Sequence, residues 1–350
     1  MRINLVYHRI PHHSAHAGYD QLASHLGRRL PVERTDGLLP DTVPPAAWAP
    51  IVARAGLTWY DEWSLGLEYA AARDLAGSPN TIYHVLYGEN VFRRLASLRW
   101  LAEIQGSRFV ATYHQPPAIF EQVVSQPEVL RALDAVVAVG TVQAEYLASV
   151  VGPEKVFTIP HGIDTDYYRP AERSATDSLV CLCVGQWLRD FRMLAEVSDR
   201  VAAADPSITF KVIARPEDAA VFQGRSNVTI ESGLSDAVLR HAYQSADLLV
   251  LPLTDCTANN AILEALACGL PIVTTAVGDI RDYVDPGCAV LVGAGDAGAM
   301  RDAILRLATD RSARLEMGRR SRRRAMDFDW STVAEQTIAL YNALAGPERP

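Results

Sequence analysis

The sequence predicts an α/β protein built from two doubly wound, Rossmann-like domains, and three observations lead there. Short apolar runs alternate with segments of helical periodicity along the chain, as in parallel sheets covered on both faces. With 350 residues, 49% of them hydrophobic, there is material for two ordinary cores. A polar stretch, Glu172 to Ser178, ends one series of runs and precedes a fresh strand, so the domains are taken as residues 1–170 and 171–328, with 329–350 a closing helix.

The most informative unit lies in the second domain. Ala246 to Pro252 has the length and composition of a strand buried on both faces, and Pro271 to Thr275 reads as the next one. Between them Ala261, Leu263, Ala265, Leu266 and Ala267 favour a helix, which Gly269 ends as a left-handed cap and Pro271 prevents from continuing. In a parallel sheet such a helix starts at the carboxyl edge of the preceding strand, where open α/β sheets bind ligands. Thr257 is read as its N-cap, leaving the amides of Ala258, Asn259 and Asn260 to point outward beside the positive end of the helix dipole, an anion site. Glu264 follows Thr257 by seven residues, roughly 10 Å along the axis. One end can hold a diphosphate while the carboxylate accepts hydrogen bonds from a ribose. The plainer alternative is an ordinary cap and a solvated glutamate.

Bulk properties exclude several classes. The net charge of −8 argues against a general nucleic-acid binder, which needs a basic face. The five cysteines, Cys181, Cys183, Cys256, Cys268 and Cys288, are odd in number and lie mostly in apolar runs, which fits a reducing cytoplasm. Cys181 and Cys183 share one face of a strand and are read as core. No apolar segment approaches the roughly 20 residues of a membrane span, and the opening run is too short for a signal peptide. A cytoplasmic protein is expected.

In chain order, Ile3 to Tyr7 is a strand, His8 to Gly18 a polar loop and Tyr19 to Leu30 a helix with Leu22, Leu26 and Leu30 in phase. His8, His12, His13 and His16 lack a regular ligand arrangement, so the loop is read as a solvated or acceptor-facing rim rather than a metal site. The prolines between Leu38 and Trp48 argue against a regular element, and Trp59, Tyr60 and Trp63 are taken as core rather than a sugar-stacking platform. Thr81 to Tyr87 is a strand, followed by Gly88-Glu89 and a helix through Leu95, Leu98 and Leu101 whose Arg93, Arg94 and Arg99 form a solvated face. A buried strand from Arg108 ends at His114, where Pro116 and Pro117 force a turn. His114 is therefore either structural or a functional group at a strand's carboxyl end. Leu133 to Val139 is another strand, Thr141 caps the helix after it, and Asp164 is a turn residue rather than part of a metal-binding acidic pair with Asp166.

In the second domain Leu179 to Val184 is a strand, and Gly185 after it lets backbone approach a phosphate. Arg189 can offer a fork to a diphosphate, the alternative being a surface arginine at a helix start. Thr209 to Ala214 and Val228 to Ile230 are further strands, and Ser235 opens a helix. Arg319, Arg320, Arg322, Arg323 and Arg324 put five arginines in six positions, a solvated surface by default and a weak peripheral contact with an anionic membrane face as the sharper idea.

The segment from Ala246 to Val277, centred on the run Leu263 to Val273, resembles the nucleotide-sugar site of GT-B glycosyltransferases in the "glycosyl transferases group 1" family, and the resemblance extends over nearly the whole chain. It implies two domains facing across a cleft, the nucleotide on the second and the closing helix returning to the first. It implies a retaining transfer from a nucleoside-diphosphate sugar to a glycan, lipid-linked or small-molecule acceptor, with neither metal nor cofactor. Glu264 matches the second of the family's two glutamates, the one used on the ribose, whereas the first falls on Cys256 beside Asp255, so the usual donor-sugar contact is absent. In the loop at Gly185, Gln186 stands where the family has arginine and Arg189 matches its lysine. Gly18 survives of a glycine pair near the donor, and His114 matches the histidine that lies near the donor sugar. Arg189 and the amides near Thr257 are then expected to stabilise the leaving diphosphate. Cys256 and Gln186 also motivate a rival reading, a non-catalytic module that binds a nucleotide or glycan. A dinucleotide oxidoreductase is disfavoured because no strand leads into GxGxxG.

Overall fold

The computed structural model describes residues 2–9, 16–35, 37, 39–40, 42–172 and 178–346. His12 and His13, and most of the polar stretch from Glu172 to Ser178, lie outside the described residues. The chain forms two compact units, one from the amino-terminal strand, Gly18–Gly162 and the closing helix, the other chiefly from Ile163–Asp329.

In the first unit the strands are β1 (Arg2–Val6), β2 (Val32–Thr35), β3 (Thr81–Val85), β4 (Arg108–Tyr113), β5 (Ala135–Ala138) and β6 (Val156–Thr158), in the order β2-β1-β3-β4-β5-β6. Every pairing is parallel. Strands buried on both faces are predominantly apolar, which is why β3, β4 and β5 read as near-continuous runs. The helix Trp330–Ala345 closes this unit: Trp330 is fully buried with its ring against Gly162, and the Tyr341 hydroxyl lies 2.6 Å from Nδ1 of buried His84.

The second unit repeats the plan with β7 (Val180–Val184), β8 (Thr209–Ile213), β9 (Val228–Glu231), β10 (Leu248–Leu251), β11 (Ile272–Thr275) and β12 (Ala289–Val292), ordered β12-β11-β10-β7-β8-β9, again all parallel. Cys181 and Cys183 point into its core, and all five cysteines are buried free thiols.

Several local expectations are corrected. A helix, Pro45–Ala53, occupies the proline-rich stretch: Pro45 takes the first helical position, where a missing N–H costs nothing, and the element buries no residue. A long helix, Glu62–Gly77, begins among the aromatics and leaves Trp63 half exposed, while Tyr60 is buried with its hydroxyl on Glu68. The helix expected through Leu101 is broken, because the Glu68 carboxylate accepts the amides of Arg93, Arg94 and Leu95 and ends the first turn. Arg99 is not simply solvated, since it pairs with Asp134 at 2.6 Å. Gly140, not Thr141, takes the cap position of the helix Thr141–Val151.

Candidate active site

Doubly wound sheets bind ligands outside the carboxyl ends of the strands where the order reverses. In the second unit that point lies between β7 and β10. β7 runs into Gly185 and β10 into the segment that starts the helix Asn260–Ala267, so both predicted donor-binding stretches meet at one sheet edge.

Gly185 has φ 85°, a left-handed conformation, and a Cβ there would lie 2.8 Å from Nη2 of Arg189. The turn folds Arg189 back on its own loop. Its Nε donates to the Val184 carbonyl at 3.0 Å, Nη1 to the Trp187 carbonyl at 2.7 Å and Nη2 to Oδ1 of Asn259 at 3.2 Å. These acceptors are neutral, so they fix the guanidinium without cancelling its charge. Burial holds its pKa below the ordinary arginine value. Gln186 beside it is exposed.

The cap of the helix Asn260–Ala267 is Asn259, not Thr257: its Oδ1 accepts the amides of Ala261 at 3.1 Å and Ile262 at 3.4 Å. Asparagine outranks threonine as a cap, and Asn259 has the extended backbone the position needs. Thr257 is buried two residues earlier. Glu264 therefore stands five residues, about 7.5 Å, beyond the cap rather than roughly 10 Å. Among the described residues no hydrogen bond engages the amides of Ala258, Asn259 and Asn260.

Glu264 is 4% exposed, which excludes the solvated alternative. Burial pushes its pKa up to about 7, against the opposing pull of the Tyr243 and Tyr168 hydroxyls and the Arg189 charge. The two tyrosines sit far away in sequence, and nothing in their local pattern marks them.

Cys256 is 3% exposed, its Sγ donating to the Thr257 carbonyl at 2.7 Å, and burial pushes the thiol up to about 12. Its carbonyl accepts the Asp279 amide at 2.8 Å, and Gly278 packs so closely on it that no Cβ would fit. The residue is a neutral structural piece of the loop.

In the first unit the order reverses between β1 and β3. Gly18, on the loop after β1, has φ 97°. Just beyond β3 stands Glu89, which sequence reasoning passed over. It is 1% exposed; Oε1 accepts the His114 amide at 2.8 Å and Oε2 lies 3.5 Å from His114 Nδ1. The rings of Tyr19, Tyr87 and His161 surround His114 at 4.8, 5.2 and 6.2 Å. An acid directly past a buried apolar strand was the available signal.

Asp164 is a turn residue, its Oδ1 accepting the Tyr167 amide at 2.9 Å, with Oδ2 2.8 Å from His16 Nδ1. Among the described residues no group of three or more His, Cys, Asp or Glu is disposed to hold a metal ion. The arginine run divides. Arg322 donates to the carbonyls of Thr165, Tyr168 and Ala267, and Arg324 to those of Tyr283 and Asp282, so these two are structural rather than a membrane-facing set. Among the described residues no helix is long and apolar enough to cross a membrane.

Two doubly wound units, each a six-stranded parallel sheet, match the GT-B glycosyltransferase fold. Residues 178–310, within the second unit, match the family described as "Glycosyl transferases group 1". A D-inositol 3-phosphate glycosyltransferase of Geodermatophilus obscurus is 28% identical over 252 residues, 64% of this chain and 56% of that protein. An MMP alpha-(1->4)-mannosyltransferase of Mycolicibacterium hassiacum is 26% identical, over 62% and 56%. The chain thus spans little more than half the length of these relatives. Among solved structures, sucrose-phosphate synthase from Thermosynechococcus elongatus superposes with TM-score 0.73 at 20% identity, covering 98% of each chain. Anabaena HepE in complex with UDP-glucose gives 0.71 at 14%, covering 98% of this chain and 100% of that one.

Proposed function

We propose that the protein is a retaining, metal-independent glycosyltransferase that moves a sugar from a nucleoside-diphosphate sugar to an acceptor hydroxyl. The observation that carries this is the meeting, at one switch point, of the Arg189 guanidinium, the unengaged amides of Ala258, Asn259 and Asn260, and the buried Glu264 carboxyl. The guanidinium and the amides offset the two charges of the bound diphosphate and the further negative charge that it takes with the bonding electron pair as it departs, the part a divalent ion takes in other transferases. Glu264 accepts hydrogen bonds from the ribose. His114, backed by Glu89, holds a hydroxyl of the donor sugar, the role the family resemblance implies.

The acceptor is a hydroxyl of a glycan, a lipid-linked sugar or a small polyol phosphate, the last favoured by the inositol-phosphate relatives. Thermal-shift titration against UDP, GDP, ADP and dTDP tests the donor site, with UDP first because HepE holds UDP-glucose. A nucleotide that raises the melting temperature in the presence of chelator, and a product of retained anomeric configuration, are expected. Catalysis abolished by chelator, or an inverted product, would overturn the corresponding half of the proposal. Binding with no transfer or donor hydrolysis across a donor panel would establish the non-catalytic module instead.

A further inference from the structure

We propose that a groove on the second unit, along one face of the helix Arg311–Ala325, binds a ligand carrying clustered phosphate oxygens. The groove encloses about 740 Å³ between that helix and the carboxyl end of the helix Asn260–Ala267, the end opposite the donor site. Arg311, Arg314, Leu315, Arg319, Arg322 and Arg323 all line it, because spacings of three and four residues place them on one helix face.

Five arginines thus line one cavity, and Asp247 is the single carboxylate among its described lining residues. Asp247 already accepts the Val180 amide at 2.9 Å. Two arginines are fixed by neutral acceptors: Arg322 by three carbonyls at 3.0 to 3.1 Å, and Arg314 by the carbonyls of Leu307 and Ala308. Each is held through Nη1, and among the described residues neither pairs with a carboxylate. Arg319 and Arg323 are exposed and share Glu316 with Arg320, one carboxylate for three cations. Arg319 and Arg323 stand four positions apart, where like charges repel along a helix, and an anion between them relieves that repulsion.

Guanidinium forks match phosphate oxygens bidentately, so phosphate is the chemistry this surface selects. Leu315, half exposed in the same groove, offers an apolar contact to whatever carries the phosphates. The same chemistry occurs on a soluble phosphorylated compound and on the headgroup of an anionic lipid.

Tripolyphosphate is titrated into the full chain by calorimetry, and sedimentation is measured with phosphatidylcholine vesicles with and without phosphatidylglycerol. Binding in either arm is expected, and the arm that responds identifies the source. The variant Arg319→Glu/Arg323→Glu should weaken it about tenfold or more, the scale of lost charge-assisted hydrogen bonds. Arg319→Gln/Arg323→Gln should fall between it and the parent. Arg189→Ala should leave it intact, because that residue belongs to the donor site. Absence of binding in both arms would overturn the proposal. So would loss of binding in Arg189→Ala with retention in Arg319→Glu/Arg323→Glu, since the ligand would then occupy the donor site.

Discussion

Burial leaves the Glu264 carboxyl with a pKa of about 7, so within the ordinary working range of pH it changes what it offers a ribose. Ionised, it accepts hydrogen bonds from sugar hydroxyls; protonated, it gives up part of that capacity. Binding therefore favours the ionised form, and nucleoside diphosphate affinity should rise with pH up to about 7, by at most about tenfold per pH unit, then level off. The ligand's terminal phosphate also titrates, near about pH 6. Glu264→Gln isolates the protein's share by flattening the remainder. Calorimetric titration across this range, in buffers of different ionisation heat, should show a proton released on binding to the parent and none attributable to residue 264 in the variant; identical profiles would remove Glu264 from the site. For stability the sign is opposite. A carboxyl raised from 4.5 to about 7 keeps a proton in the folded chain that the unfolded chain has lost, so its contribution declines as pH rises through that window. At the same scale, Glu89 holds the His114 amide and places its other carboxylate oxygen 3.5 Å from the ring nitrogen Nδ1. Glu89→Gln should reduce kcat by about ten- to a hundredfold, the range of a charged hydrogen bond, with a smaller effect on KM. An unchanged kcat in a folded variant would make Glu89 purely structural.

Single elements show where local sequence sufficed and where it did not. The strand-helix-strand unit around Asn260–Ala267 was readable because apolar runs, Gly269 and Pro271 each dictate backbone conformation locally. Its cap was not, since Thr257 and Asn259 are both competent caps and local pattern does not choose between them. The helix Arg311–Ala325 makes the same point with charge: five arginines look alike in sequence, yet only long-range contacts separate Arg322, on three carbonyls, from Arg320, on Glu316 of its own helix. Arg322→Ala should destabilise the second unit by about 2–3 kcal/mol, through orphaned carbonyls, whereas Arg320→Ala should cost about 0–1 kcal/mol. Chemical denaturation of both variants checks this, and equal effects would contradict the division.

At the scale of the whole molecule, the alternation of strands and helices announced two doubly wound sheets, because a parallel strand must be apolar on both faces and each crossover needs a helix. The order of strands within each sheet was not legible, yet it is the order that creates the two reversal points, one beside Gly185 and Asn259 and the other beside Gly18 and Glu89. Nor could local pattern show that the last helix completes the first unit, a return that only the family resemblance supplied. Trp330 supports that helix with a fully buried ring against Gly162, Tyr19 and His161. With a core in each unit, unfolding need not be one all-or-none transition. Trp330→Ala should lower the first unit's stability by about 3–5 kcal/mol, the cost of emptying a large core site. A nucleoside diphosphate, bound by the second unit, should raise that unit's transition alone. Scanning calorimetry of parent and variant, with and without nucleotide, should therefore show one transition moved by the mutation and another by the ligand. A single transition moved by both would mean that the units unfold as one, and the stability argument for the closing helix would then apply to the entire chain.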